Sequence, residues 1–463
     1  MKPAALTFRF PTNFRPLDVF QRLARRPGCL WLDSACTGPD GTGQYSYLTS
    51  DPIDQFSLRP SDESGWKKML EWLALQRARY LSSPTIAGAP AFQGGVAGLL
   101  GYDAAQWLES IGELPTNDLP TSPIWLGVYD WVIAFDHQQK HADLIVQPWS
   151  DSPQLRHDQI QGWLEAPATE APAQSQDFTR RPVSGQFPTA RSPELTSNFS
   201  PAGFRSAVAQ IVKRIRKGDS FQVNLAQRLL YPQQEPAADI YQRLRSTNPA
   251  PMAGYLDAGD FQVLSSSPEG FLQVIADKVV TRPIKGTVPR TGNTAQDEAL
   301  ADQLRQSKKD HAENVMIVDL MRNDLSRACV DESVRVEALC QVESYAFVQH
   351  LVSIVRGDLR PDRTIEDLLS DCFPGGSITG APKIEAMRTI SQLEPHCRGP
   401  YCGSLGYLST GGNADWNILI RTLTIAHGWI QIPVGGGITA QSDPVEEEAE
   451  TWHKAEGMLR AIL

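Results

Sequence analysis

From Phe199 to Leu463, strand-like apolar runs and long amphipathic helices follow one another densely, in an order that no alternating strand-helix scheme reproduces. Ser200-Pro201 opens a helix running to Arg216, with Phe204, Val208, Ile211, Val212 and Ile215 on one stripe, and Gly218 stops it. Strand patterns follow at 220–230, 254–256, 261–265 and 279–287, then a helix over 295–326. Further strands fit 350–355, 403–409, 416–425 and 429–434, and a closing helix starts at Pro444. Many strands mixed with long helices, and no repeat of fixed period, predict an α+β fold.

The 463 residues are 41% hydrophobic, ample for a large core. Length alone suggests about three domains. Residues 1–164 form an N-terminal region that mixes short strand-like runs (30–32, 131–135) with a helical segment over 66–80. Residues 165–198 are rich in Ala, Pro, Ser, Thr and Gln and read as a linker or long exposed loop; 199–463 is the dense third stretch. The first residues lack the apolar run of a signal peptide, and no stretch reaches the ~18 apolar residues of a spanning helix. Seven cysteines without a C-x-x-C pair read as reduced thiols in a cytoplasmic protein. A net charge of −10 disfavours nucleic-acid and anionic-membrane partners, so an anionic substrate requires locally gathered positive charge.

Four motifs can carry chemistry. Phe373-Pro-Gly-Gly-Ser-Ile-Thr-Gly-Ala-Pro-Lys383 runs into an amphipathic helix over 384–393, a combination of converging backbone N–H groups and helix N-terminus that cradles anions. A nucleotide P-loop is excluded, because Ala381-Pro382 stand where Lys and Ser/Thr are required; a bland glycine-rich turn is the alternative. Gly435-Gly436-Gly437 ends a strand and permits close backbone approach to a ligand, or simply a tight bend. Glu447 and Glu450 lie three apart on one face of the last helix; with Glu313, in the apolar helix 312–322, they suit a hard cation such as Mg²⁺. Helix-start chemistry around Asp443-Pro444, and pairing of Glu450 with Lys454, are the structural alternatives. Lys285, between Ile284 and Gly286, becomes a nucleophile if burial lowers its pKa, whereas most strand lysines point to water.

Taken as an ordered set, Pro283-Ile-Lys-Gly-Thr287, Ala312-Glu-Asn, Asp319-Leu-Met-Arg-Asn-Asp324, Gly376-Ser-Ile-Thr-Gly-Ala-Pro-Lys383, Ile420-Arg-Thr422, Gly435-Gly-Gly-Ile438 and the Glu447/Glu450 helix resemble the chorismate-utilising enzyme family. Gly94 to Asp103 and Gly127 to Trp131 extend the resemblance into the N-terminal region. It implies a large α/β sandwich of two mainly antiparallel sheets flanked by helices, with both halves of the chain in one globule. It implies Mg²⁺ held by Glu313, Glu447 and Glu450 and receiving the ring carboxylate of chorismate. Chorismate binding would fall to Gly286, Thr287, Thr379, Gly380, Lys383, Tyr401, Arg421 and the amides of Gly435, Gly436 and Gly437.

Within the family, anthranilate synthases usually read Pro-Ile-Ala-Gly-Thr, and a lysine at that Ala resembles the aminodeoxychorismate synthases. The implied chemistry is attack by Lys285 at C2 of chorismate with loss of the C4 hydroxyl, Glu269 donating the proton, followed by addition of ammonia at C4. His350 matches an active-site histidine of the family, or makes a structural hydrogen bond. No cysteine lies in a nucleophile elbow, so the resemblance implies a separate glutamine amidotransferase subunit (component II) as the ammonia source. Anthranilate synthesis and a non-catalytic tryptophan- or chorismate-binding regulator are the rival functions. Related enzymes bind tryptophan near the N-terminal strands. Ser34, Tyr45, Ser46, Pro251, Met252 and Ala253 fall at comparable positions, though Leu32-Asp33-Ser34 departs from the usual Leu-Glu-Ser.

Overall fold

Leu30, Val132, Leu256 and Val263 from one sheet meet Ala97, Leu99, Leu405 and Tyr407 from another in a single apolar layer. Period-2 alternation puts these residues on the facing sides of their strands. Each such buried Leu or Val contributes roughly 1.5–3 kcal/mol over its exposed state. The computed structural model describes residues 5–11, 14–38, 41–149, 152–166, 178–345 and 348–463. Among them, one sheet has 13 strands and the other 10, and every pairing between named strands is antiparallel.

Helices close the outer faces. Pro16–Leu23, Ala237–Thr247 and Pro444–Leu459 cover the larger sheet. Gly65–Gln76, Lys308–Ser326 and Ile365–Cys372 cover the smaller one. The fold is therefore an α+β sandwich. Both sheets mix strands from the two halves of the chain: Leu30–Asp33 pairs with Ala253–Asp257, and Gly95–Leu100 with Ser404–Ser409.

Three expected elements are broken. The helix over 295–326 is two, Thr294–Gln306 and Lys308–Ser326, because Ser307 turns extended and its hydroxyl caps the Asp310 amide at 3.3 Å. The strand over 279–287 becomes Lys278–Thr281 and Ile284–Pro289, parted at Arg282-Pro283, where proline offers no N–H to the ladder. The strand over 416–425 divides into Ala414–Asn417 and Thr422–Ala426, because Arg421 takes a left-handed φ of 51°. Of the expected linker, residues 167–177 lie outside the described residues. Farther along it, Phe187–Pro188 and Thr196–Ser197 pair with each other, and the latter pairs with the long strand Gln222–Pro232.

Candidate active site

Strand Ile284–Pro289 pairs with Val348–Asp358, and the register slips between Lys285, opposite Leu351, and Thr287, opposite His350. The extra residue is Gly286 at φ +70°, where a Cβ would lie 2.7 Å from Leu304 Cδ1 and 3.0 Å from Asp310 Cγ. Only glycine fits, and the resulting bulge re-aims the neighbouring side chains. Lys285 Nζ donates to the Ser377 carbonyl at 3.2 Å. Burial lowers its pKa; Glu313 first and Glu269 next work against that shift.

Glu269 reaches Lys285 across sixteen residues because the hairpin Gly270–Ile275 and Lys278–Thr281 folds the chain back, leaving both at its open end. Glu269 is 5% exposed. Burial raises its pKa, partly offset by a hydrogen bond with the Ser377 side chain and by the charge of Lys285. A raised carboxyl beside a lowered amine is the pairing that lets one act as acid and the other as nucleophile.

Arg421 shares the charge environment of Glu269. Burial lowers its pKa and Glu269 is its stabilising charge, yet among the described residues no carboxylate lies within 4.0 Å of it. A guanidinium without a bidentate partner, on a left-handed backbone, suits a substrate carboxylate. His350 Nδ1 lies 2.9 Å from Thr287 Oγ1, and its ring packs edge-on against Tyr345 at 5.4 Å. Burial, with Arg421 adding to it, lowers the His350 pKa to about 3. Its NMR ring signals are therefore expected not to titrate between about pH 5 and 8. Titration in that range would contradict a His350 held neutral by burial.

Glu447 and Glu450 flank the glycine strand, and Glu313 shares the charges of Lys285, Lys309 and Glu447. A Cβ on Gly436 would lie 3.5 Å from Glu447 Oε2 and 3.6 Å from Glu450 Oε1. Glu447 Oε1 accepts from Ser442 at 2.6 Å and has Lys309 Nζ at 3.7 Å. Glu450 pairs with Lys454 at 2.7 Å, and Lys454 also donates to the Gly435 carbonyl at 2.9 Å. Burial raises the pKa of Glu313 and Glu447; burial pushes Glu450 up too, but Lys454 brings it below its ordinary value. Among the described residues no three side chains stand close enough to form a ready metal cage. The donor set nonetheless fits a hard cation: all three groups are carboxylates, and Glu313 Oε1 is buried with no hydrogen-bond partner.

Two residues of the glycine-rich motif face elsewhere. Lys383 Nζ is bonded to Asp324 Oδ2 at 2.7 Å and to the Cys372 carbonyl at 2.8 Å, so it is a structural cation rather than a free anion ligand. The Thr379 hydroxyl folds back onto the Gly375 and Gly376 carbonyls at 3.0 and 3.3 Å. Gly380 lies in the short strand paired with Gln222-Val223. Breaking a buried ion pair costs about 3–5 kcal/mol, so Lys383→Met is expected to lose stability of about that order in urea denaturation; an unchanged midpoint would contradict it. Tyr401 is buried, next to Cys402, whose amide donates to the Leu419 carbonyl at 2.8 Å, two residues before Arg421.

Sequence reading missed Gln222 and Asn224. Gln222 is fully buried with neither carboxamide atom partnered, and its Nε2 lies 2.7 Å from where a Gly437 Cβ would stand. Two polar side chains at positions i and i+2 of an apolar strand were the available signal. At the N-terminal end, Ser34 Oγ donates to the carbonyls of Tyr45 (2.8 Å) and Pro251 (3.1 Å), and its amide to Ser46 Oγ at 2.9 Å. Met252 joins the Glu269 segment through its amide, which donates to the Ser267 carbonyl at 3.1 Å, and Ala253 pairs with Asp33. Asp33 is buried against Arg245 at 2.6 Å.

A profile of the family described as chorismate binding enzyme matches residues 28–460. Anthranilate synthase component 1 of Streptomyces coelicolor is 35% identical over 96% of this chain and 86% of its own length. Aminodeoxychorismate synthase component 1 of Escherichia coli is 38% identical over 80% of this chain and 77% of its own. The crystal structure of anthranilate synthase component I from Streptococcus pneumoniae superposes with a TM-score of 0.76 at 30% identity, covering 90% of this chain and 92% of that one.

Proposed function

The chain belongs to the chorismate binding enzyme family, and from that premise we propose that it aminates chorismate at C4, giving 4-amino-4-deoxychorismate, the precursor of p-aminobenzoate in folate biosynthesis. The relatives carry two names at nearly equal identity, so similarity alone does not choose between amination at C4 and at C2. The observation that carries the choice is Lys285, its pKa lowered by burial against the opposing charges of Glu313 and Glu269. A lysine so placed has a neutral form available for attack.

In this reading the Lys285 amine attacks C2 of chorismate and loses a proton, both conjugated ring double bonds shift, and the C4 hydroxyl leaves as water with the proton of Glu269. Ammonia then adds at C4, both double bonds shift back, and Lys285 is expelled as the amine, taking up the proton that the added nitrogen gives up. Arg421 and the amides of Gly435 to Gly437 hold the carboxylates, with Thr287 fixed by His350 and Tyr401 walling the site. Glu313, Glu447 and Glu450 would hold Mg²⁺, which supplies positive charge to the ring carboxylate when bound. Relatives named component 1 support a second component, here a glutamine amidotransferase delivering ammonia. No described helix is long and apolar enough to cross a membrane. The cluster of Ser34, Tyr45, Ser46, Pro251, Met252 and Ala253 is the proposed tryptophan pocket.

The test is product analysis with chorismate, Mg²⁺ and ammonium. The expected main product is 4-amino-4-deoxychorismate; fluorescent anthranilate as the main product would overturn the reading.

A further inference from the structure

We propose that Asn224 is a positioning residue for Lys285, acting through the Ser377 carbonyl; the inference rests on the reading of Lys285 as the nucleophile. Among the described residues, Lys285 Nζ has a hydrogen bond to the Ser377 carbonyl at 3.2 Å and no carboxylate within 4.0 Å. Its aim therefore depends on where that carbonyl points. Asn224 Nδ2 donates to the same oxygen at 2.8 Å, the shorter of the two bonds. A carbonyl oxygen has two lone pairs, and these two donors use both.

Asn224 is itself held from several sides. Its amide donates to the Thr379 carbonyl at 2.9 Å, and its own carbonyl accepts from Arg398 Nη2 at 3.3 Å. Arg398 also donates to the Ile378 carbonyl at 3.0 Å and is locked to Glu394 at 2.6 Å, a pair only 3% and 4% exposed. The turn 375–379 cannot retreat, since a Cβ at Gly376 would already lie 2.5 Å from Leu320 Cδ2. Across the sheet Asn224 pairs with Gly437, and its Oδ1 lies 3.2 Å from the position of a Gly437 Cβ. One side chain thus spans from the acceptor of the lysine to the glycine strand assigned to the substrate. A lysine has four rotatable bonds, so a single well-directed acceptor decides whether its amine waits in attacking position.

The experiment uses the full chain with ammonium as nitrogen source. Asn224→Leu removes the donor at similar volume. Its kcat is expected to fall by about 10- to 100-fold with KM for chorismate within about threefold, since misplacement costs rate rather than binding. The rate at which Lys285 is covalently captured by chorismate without ammonium, followed by mass spectrometry, should fall by the same factor. Asn224→Asp keeps the shape and polarity but not the donor, and should behave alike; it carries the test if the leucine variant does not fold. A kcat within about threefold of the parent, or a lowered kcat with capture unchanged, would overturn the inference. Lys285→Ala separates the two layers. If that variant is inactive while the Asn224 variants are normal, only the role of Asn224 fails; if it turns over normally, the nucleophile reading itself fails.

Discussion

Lys285→Ala is expected to lower 4-amino-4-deoxychorismate formation by about 10³-fold or more, with chorismate affinity little changed. The size follows from the role: the amine forms a bond that exists only along the reaction path, so its removal costs rate and not ground-state binding. Affinity should survive because Arg421, the glycine amides and the carboxylate site are separate from the ε-amine. The measurement is steady-state turnover with ammonium beside equilibrium titration of chorismate. Near-normal turnover would remove the covalent role of Lys285, and the family assignment would stand. A parallel loss of rate and affinity would make Lys285 a cation that holds substrate.

Glu269→Gln should have the next largest effect, a loss of about 10²–10⁴-fold in kcat. The leaving hydroxyl needs a proton, and a buried carboxyl is built to keep one. The sign of the pH dependence follows. Burial raises the pKa of Glu269, so the acid form persists further toward neutrality than for an exposed glutamate. Activity of the parent should therefore decline as pH rises through that raised value, and the residual activity of Glu269→Gln should lack this decline. An unchanged pH profile in the variant would show that another group donates the proton. The neighbouring Ser377 hydroxyl lowers the same pKa, so Ser377→Ala should move the decline to higher pH.

Where periodicity is strong and local, sequence and structure agree closely: the strand at 261–265 matches Phe261–Ser265, and the helix expected over 201–216 is Pro201–Lys217. The breaks at Ser307, Arg282-Pro283 and Arg421 were harder to foresee, because a cap, a ladder gap and a left-handed backbone are choices made by the surroundings. The candidate site shows the same division. Glu269, Lys285, Arg421 and the three glutamates were visible as motif residues and are gathered around one region. Lys383 had equally suggestive chemistry, but its partner Asp324 lies 59 residues away and only the packed structure joins them. Asn224 failed to stand out for the converse reason. An asparagine in a strand says little until the opposite residue is known to be Gly437 and the bonded oxygen that of Ser377.

The most direct test of the central claim is mass analysis of the protein after incubation with chorismate and Mg²⁺ but no ammonia. The expected result is a modification equal to chorismate less one water, mapped to the peptide carrying Lys285, reversed by adding ammonium and absent from Lys285→Ala. An unmodified Lys285 in a protein that still forms 4-amino-4-deoxychorismate when ammonium is supplied would contradict it.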